Sequence, residues 1–128
     1  MQHIEDNEQM TLFRWATFQS GKYPELDLLF HIPNGGKRGK SEAARFKAMG
    51  VKAGVPDLLL PVPRGGFHGL FIELKAPNGV KSGNQDKWLK ALSAQGYSVH
   101  LCYGWENASA VIMDYLSGNL SSVGERQK

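Results

Sequence analysis

Two runs of consecutive apolar residues on either side of a glycine pair constrain the fold of this chain most strongly. Leu58–Leu60 and Leu70–Ile72 flank Gly65-Gly66, and an uninterrupted apolar run is typical of a strand that is covered on both faces. The pattern predicts an antiparallel hairpin symmetric about the first glycine, in which the numbers of opposed residues sum to 130. Asp57 then lies opposite Glu73.

These two acids and a nearby lysine predict a metal site. Directly opposed Cβ atoms are about 4.5 to 5.5 Å apart, so Asp57 and Glu73 can share one cation at ligand distances of roughly 2.0 to 2.6 Å. Lys75, two residues further along, points to the same face. Without a cation the carboxylates would repel each other, whereas a divalent ion would create a phosphate-sized site beside the ammonium.

An ordinary structural role is the alternative for the same residues. Asp57 follows Pro56 and suits a turn, and Glu73 and Lys75 alternate around Leu74 as they would on a half-exposed strand. The apolar run before Glu73 argues against this alternative, because a charge at the end of a buried strand needs a partner. We therefore favour the metal site.

Composition limits the class of protein. The chain has 128 residues, of which 41% are hydrophobic and 21% are charged, as expected for one globular domain and not for a disordered chain. The single Cys102 excludes an intrachain disulfide and a multi-cysteine zinc cluster. Residues 1–7 do not resemble a signal peptide, and no apolar run is long enough to span a membrane, so we expect a cytoplasmic protein without a membrane partner.

Charge is distributed unevenly along the chain. Residues 1–30 have a net charge of −3, whereas residues 31–52 have a net charge of +5. In the second segment, Glu42 is the only acid and six residues are basic: Lys37, Arg38, Lys40, Arg45, Lys47 and Lys52. Such a patch indicates a polyanionic partner, although runs of charge are more often simply solvated.

Hydrophobic periodicity and capping signals predict the order α-β-α-β-β-α-β-α, a mixed α/β sheet flanked by helices. The predicted helices are 5–19, 41–49, 82–95 and 105–116, and the predicted strands are 26–32, 57–62, 69–75 and 97–103. Residues 1–116 form a single predicted domain, and 117–128 form a polar tail. The buried positions of the two outer helices are Met10 and Phe13, with Leu12 and Trp15 as further candidates, and Ala108, Val111, Ile112 and Tyr115.

The motifs on these elements resemble a known nuclease family. Gly54-Val55-Pro56-Asp57, a fifteen-residue gap and Glu73-Leu74-Lys75 resemble the PD-(D/E)XK nuclease superfamily. His31-Ile32-Pro33-Asn34-Gly35-Gly36, Gly50–Asp57, Phe71–Lys75, and Gln85 with Trp88 are similar to its VRR-NUC (virus-type replication-repair nuclease) branch over about residues 5–116.

This resemblance implies a restriction-endonuclease-like fold and phosphodiester cleavage that depends on Mg²⁺ or Mn²⁺. It also implies a metal-binding glutamate on the first helix. Glu8 is our match, and Glu5, one turn earlier, remains an alternative. With Asp57, Glu73 and the backbone carbonyl of Leu74, this glutamate would bind one or two ions.

Gln85 has two compatible interpretations. It completes a capping box with Ser82, a structural role worth about 1 kcal/mol, and it lies on the apolar face of Trp88, Leu89 and Leu92, which turns toward the sheet. The resemblance places a glutamine near the metal site, and we therefore expect Gln85 to belong to the catalytic group with Asp57, Glu73 and Lys75.

A glycine-rich loop after the first strand invites comparison with nucleotide-binding loops. Gly35–Ser41 is one residue short of the phosphate-binding motif, because Asn34 occupies the position of its first glycine, and we expect no nucleotide cofactor. We interpret the loop as a nucleic-acid phosphate site. The predicted DNA-binding residues are His31, Asn34, Gly35, Gly36, Lys37, Arg38, Lys40 and Lys52.

His100 and Cys102 face the same way on one strand and raise the possibility of a thiol nucleophile. No glycine-rich oxyanion loop accompanies them, and an isolated cysteine on an apolar strand is usually a core residue. We do not assign them a catalytic role.

These observations predict a metal-dependent DNA endonuclease in the cytoplasm of a bacterium or a virus-infected cell. A chain of this length has a radius of gyration near 14 Å and presents one active site, so symmetric cleavage of two strands requires a homodimer. The resemblance suggests branched DNA such as four-way junctions as the substrate. The alternatives are a non-catalytic nucleic-acid-binding module and a monomeric nuclease directed at flaps or ends.

Overall fold

The computed structural model describes residues 4–33, 39–80 and 83–119, with Asn84 described by its backbone alone. Its elements confirm the predicted order. The helices are α1 (Ile4–Gln19), α2 (Lys40–Ala48), α3 (Gly83–Ala94) and α4 (Trp105–Leu116), and the strands are β1 (Phe30–His31), β2 (Leu58–Leu60), β3 (Leu70–Lys75) and β4 (Ser98–Tyr103). Most of the predicted tail, from residue 120 onward, lies outside the described residues.

The four strands form one mixed sheet in the order β1-β2-β3-β4. β2 pairs antiparallel with both β1 and β3, whereas β3 and β4 are parallel and are connected through α3. Leu58 pairs with Ile72, Leu59 with Phe71 and Leu60 with Leu70, so the predicted register is confirmed. Asp57, directly before β2, is thereby placed at the Glu73 level of β3.

The connection between β2 and β3 is a tight turn on the predicted glycine pair. Arg64 and Phe67 exchange two backbone hydrogen bonds of 3.2 and 2.8 Å, and φ is +57° at Gly65 and +88° at Gly66. Positive φ at both central residues is the requirement of a type I′ hairpin turn and explains the glycine pair. The numbers of paired residues sum to 130 in β2 and β3 but to 131 for Arg64 and Phe67. The segment between β2 and the turn is therefore one residue longer than the segment between the turn and β3.

Two apolar layers cover the two faces of the sheet. The larger layer joins the sheet to α1 and α4, and it contains Leu12, Ala16, Ile72, Leu74 and all four predicted residues of α4: Ala108, Val111, Ile112 and Tyr115. The smaller layer comprises Phe71, Leu89, Val99 and Leu101 and lies on the α3 side. Because side chains alternate along a strand, Glu73 belongs to the α3 side with Phe71.

The predicted strand 26–32 is only partly correct. The chain forms a 3-10 helix over Pro24–Leu28, and the strand is confined to Phe30–His31. Pro24 has a fixed φ that suits the start of a helix. Leu26 and Leu29 are both buried, and their spacing of three matches the three residues per turn of a 3-10 helix.

Two details of the predicted helices are wrong. Met10 of α1 is 52% exposed, because the buried stripe runs through Leu12 and Ala16 at a spacing of four, with Phe13 and Trp15 at its margins. Ser41 does not cap α2: Gly39 is the N-cap and no side chain bonds to the helix end. The predicted cap of α3, Ser82, lies outside the described residues.

Candidate active site

Asp57 is held from both neighbouring strands at the entrance to β2. Its Oδ2 accepts a hydrogen bond of 2.7 Å from the backbone N–H of Leu74. Its backbone carbonyl accepts a bond of 2.7 Å from the N–H of Ile32 and lies 2.9 Å from Nδ1 of His31. Pro56, which is buried, precedes it. The Asp57 carboxylate is thus fixed against β3 at the predicted position.

Glu73 is a buried acid in the middle of the sheet, with 2% of its surface exposed. Its Oε2 accepts a hydrogen bond from Nε2 of Gln85 and lies 3.4 Å from Nζ of Lys75. Its Oε1 is buried and has no hydrogen-bond partner among the described residues. A buried carboxylate oxygen without a partner is costly, so this atom indicates a binding position.

Burial raises the pKa of both acids. Burial is the main reason that the pKa of Glu73 rises from 4.5 to about 8, and the negative charge of Asp57 adds to it, while Lys75 opposes it. Burial also raises the pKa of Asp57, although the Leu74 N–H and the charges of His31 and Lys75 oppose that rise. Two adjacent carboxyls that resist ionisation together are typical of a functional site.

The donor set fits a hard divalent cation. A cation beside Asp57 and Glu73 would remove their repulsion and give the buried Glu73 Oε1 a partner. Leu74 directs its N–H to Asp57, and in a strand the carbonyl of the same residue points to the same edge, so this carbonyl is available as a third oxygen. No group of three His, Cys, Asp or Glu residues suited to a metal occurs in the described parts of the chain. Two carboxylates and one backbone carbonyl suit Mg²⁺ or Mn²⁺, with water and phosphate as further ligands.

Glu8 and Glu5, the two candidate acids of the first helix, make different interactions. Glu8 Oε1 accepts a hydrogen bond of 2.7 Å from the backbone N–H of Trp105, where it stabilises the beginning of α4. The charge of Glu5 contributes to the raised pKa of both Asp57 and Glu73, after burial and the nearer charges. Glu5 is therefore the acid of α1 that acts electrostatically on the carboxylate pair.

Lys75 and Gln85 both reach Glu73 from the predicted positions. The Lys75 side chain is 12% exposed and is held at the end of β3, where its backbone carbonyl accepts a bond of 2.8 Å from Gly104. Gln85 lies in the first turn of α3 and is buried. The structure thus brings Asp57, Glu73, Lys75 and Gln85 together.

The predicted DNA-binding residues are only partly described. His31 is exposed beside Asp57, and Lys40 and Lys52 are exposed on α2 and after it. Asn34, Gly35, Gly36, Lys37 and Arg38 lie outside the described residues. Two exposed basic residues of α2, Arg45 and Lys47, were not among the predicted contacts, although they belong to the same basic segment of the sequence.

Cys102 is a core residue, as expected, and so is His100. Both are fully buried, His100 Nε2 lies 3.1 Å from the Ser98 hydroxyl, and burial raises the pKa of the Cys102 thiol to about 12. A thiol that remains protonated at neutral pH is a poor nucleophile.

The mixed sheet flanked by helices is that of the restriction-endonuclease-like fold, and its paired acids followed by a lysine are typical of the nucleases built on it. The sequence profile of the VRR-NUC domain matches residues 5–106. A solved structure described as a VRR_NUC domain protein is 34% identical, covers 96% of this chain and 94% of its own, and superposes with a TM-score of 0.79. The chain belongs to the VRR-NUC family.

No curated protein sequence matches the chain significantly. In the described ranges, none of the helices combines the length and apolar character needed to cross a membrane.

Proposed function

We propose that this protein is a divalent-metal-dependent DNA endonuclease that hydrolyses phosphodiester bonds. One observation carries the proposal: the partly buried Asp57 carboxylate and the buried Glu73 carboxylate lie together beside Lys75, and one oxygen of Glu73 has no partner among the described residues. An arrangement that only had to bind DNA would have no use for acids directed at phosphate, because they would repel it.

Asp57, Glu73 and the Leu74 carbonyl would hold the ion, and Glu5 would complete the set from α1, with Glu8 as the alternative. A bound Mg²⁺ or Mn²⁺ lowers the pKa of coordinated water and polarises a phosphate. The Leu74 N–H keeps the Asp57 carboxylate in place, and Gln85 fixes the orientation of Glu73 through Oε2. These bonds hold the carboxylates in one geometry before any ligand arrives.

Lys75 would act on the phosphate. Its ammonium is largely shielded from solvent and lies beside Glu73, where its charge is screened less than in water. It can orient the attacking water and offset the negative charge that develops as the phosphodiester bond breaks. Enzymes of this kind supply roughly 15 to 23 kcal/mol, so Lys75 shares this stabilisation with the ion and with substrate positioning.

The substrate we propose is branched DNA such as a four-way junction, cleaved by a homodimer. Trp15 and Trp105 pack against the core, so they do not provide the exposed apolar surface that a dimer needs. The outer face of α1 would provide it instead, because Met10 and Phe18 line a shallow depression and are 52% and 86% exposed. A two-fold contact through this face would give two active sites per particle.

The experiment compares labelled four-way junction, flap and linear duplex in Mg²⁺ or Mn²⁺. We expect the junction to be cleaved fastest and Asp27→Asn, an exposed acid of the 3-10 helix, to match the wild type. Cleavage of flaps or ends alone would favour the monomeric nuclease. Binding without cleavage of any substrate would instead identify a non-catalytic nucleic-acid-binding module.

We further propose that residues 1–116 constitute the nuclease domain, that 117–128 form a tail, and that the protein acts in the cytoplasm of a bacterium or a virus-infected cell without a nucleotide cofactor.

A further inference from the structure

Helix α2 has little contact with the rest of the described protein. None of its nine residues is buried, and no other helix or strand in the described ranges packs extensively against it. A helix of this length is marginal alone in water, and Phe46, which is partly buried, is the one large apolar side chain among its nine residues, so apolar burial contributes little to its stability. An external partner would supply the missing stabilisation.

The charge of α2 and its C-terminal extension identifies the chemistry of that partner. Residues 39–52 contain four basic residues and one acid, Glu42, which gives a net charge of +3. Lys40, Ala43, Ala44 and Lys47 recur at the i, i+3, i+4 and i+7 spacing of one helix face, and all four are exposed. Two small side chains between two lysines allow a phosphate backbone to approach the helix closely.

The segment that carries α2 begins and ends beside Asp57. Ile32 and His31, at the end of β1, both contact the Asp57 carbonyl, where the chain returns to the sheet. Lys47 precedes Asp57 by ten residues, so the chain limits their separation to about 35 Å, or roughly ten base pairs of duplex at 3.4 Å each. Phosphates bound by α2 would therefore belong to the DNA segment that contains the cleaved bond.

We propose that α2 docks on the sugar–phosphate backbone of the substrate through the face of Lys40 and Lys47. This inference rests on the proposed nuclease function and adds an element to it: a helix stabilised by the substrate and tethered to the active site. Docking on phosphates would position the duplex without reading its sequence.

The test measures DNA binding by fluorescence anisotropy in EDTA at several salt concentrations. Replacement of Lys40 and Lys47 by alanine should reduce the magnitude of the log K versus log salt slope by about 2 units, since each phosphate contact contributes roughly 0.9. The control, Lys22→Ala with Lys90→Ala, removes the same charge from two exposed positions elsewhere and should leave the slope unchanged. Alanine favours helix, and circular dichroism verifies that both variants remain folded.

A second measurement locates the contact. Cys102 is buried, so Lys47→Cys can be labelled selectively with a photocrosslinker, and crosslinks should fall within about ten base pairs of the cleavage position. An unchanged slope in the Lys40/Lys47 variant, in a protein whose wild type cleaves DNA, would overturn the docking role and leave the nuclease intact. A wild type that neither binds nor cleaves DNA would overturn the proposed function itself.

Discussion

Replacing Glu73 by glutamine should change how the stability of the metal-free protein depends on pH. The pKa of Glu73 rises from 4.5 to about 8, mainly through burial and then through the charge of Asp57. The folded protein therefore holds a proton that the unfolded chain releases, and the free energy of unfolding falls as pH rises between these two values. The slope is at most about 1.4 kcal/mol per pH unit, and it disappears below the unfolded pKa and above the folded one.

Glu73→Gln removes this titration and preserves the shape of the side chain, so its pH dependence should be distinctly shallower. The residual slope comes from Asp57, whose pKa is also raised by burial. Urea unfolding followed by tryptophan fluorescence in EDTA, from pH 5 to 8.5, measures both curves. Glu42→Gln, at an exposed position of α2, should follow the wild type.

Mn²⁺ provides the second half of this experiment. An ion at one hundred times its dissociation constant stabilises the folded state by about 2.7 kcal/mol, and at pH 8 it should stabilise the wild type far more than Glu73→Gln. Equal pH slopes in the two proteins, or equal stabilisation by Mn²⁺, would refute the assignment of Glu73 as a buried ligand with a raised pKa.

Three further predictions follow from the same geometry. Lys75→Ala should reduce cleavage at least about a hundredfold, equivalent to roughly 3 kcal/mol. Because an ammonium is not a ligand, calorimetry should show that Lys75→Ala loses less Mn²⁺ affinity than Asp57→Asn does. Loss of all metal binding by a folded Lys75→Ala variant would contradict this role. Glu8→Ala should lower the free energy of unfolding by about 1 kcal/mol, because it removes the bond at the start of α4. Glu5→Ala should instead weaken Mn²⁺ binding without that loss of stability. The reverse result would identify Glu8 as the ligand. Phe18→Asp should convert a dimer to a monomer in light scattering, and a wild type that is monomeric at micromolar concentration would exclude the two-fold arrangement.

The hairpin could be predicted because several independent features of the sequence indicate the same strand pairing. Uninterrupted apolar runs, a glycine pair and a side-chain period of two together determine which residues face each other, and a slip of one residue would have reversed every buried side chain. Hydrophobic periodicity identified α4 in a similar way, and its four predicted buried positions are all buried. Asp57 and Glu73 were placed at one level of the sheet by register alone.

Other features depend on contacts that the sequence does not display. Met10 and Leu12 are both apolar, and only the packing of α1 decides that Leu12 is buried and Met10 exposed. The distinction between Glu5 and Glu8 rests on the position of Trp105, which is 97 residues from Glu8. The leucines at 26, 28 and 29 after Pro24 suit either a strand or a 3-10 helix, and the structure contains the 3-10 helix.

Single-turnover cleavage of a labelled four-way junction by wild type and Asp57→Asn tests the metal-dependent nuclease most directly. In Mg²⁺ the wild type should cleave, and Asp57→Asn should be slower by at least about a thousandfold, or roughly 4 kcal/mol of transition-state stabilisation, while it binds the junction as tightly as the wild type. EDTA should abolish wild-type cleavage. Cleavage that continues in EDTA, or equal rates for the two proteins at limiting Mg²⁺, would contradict a metal site built on Asp57.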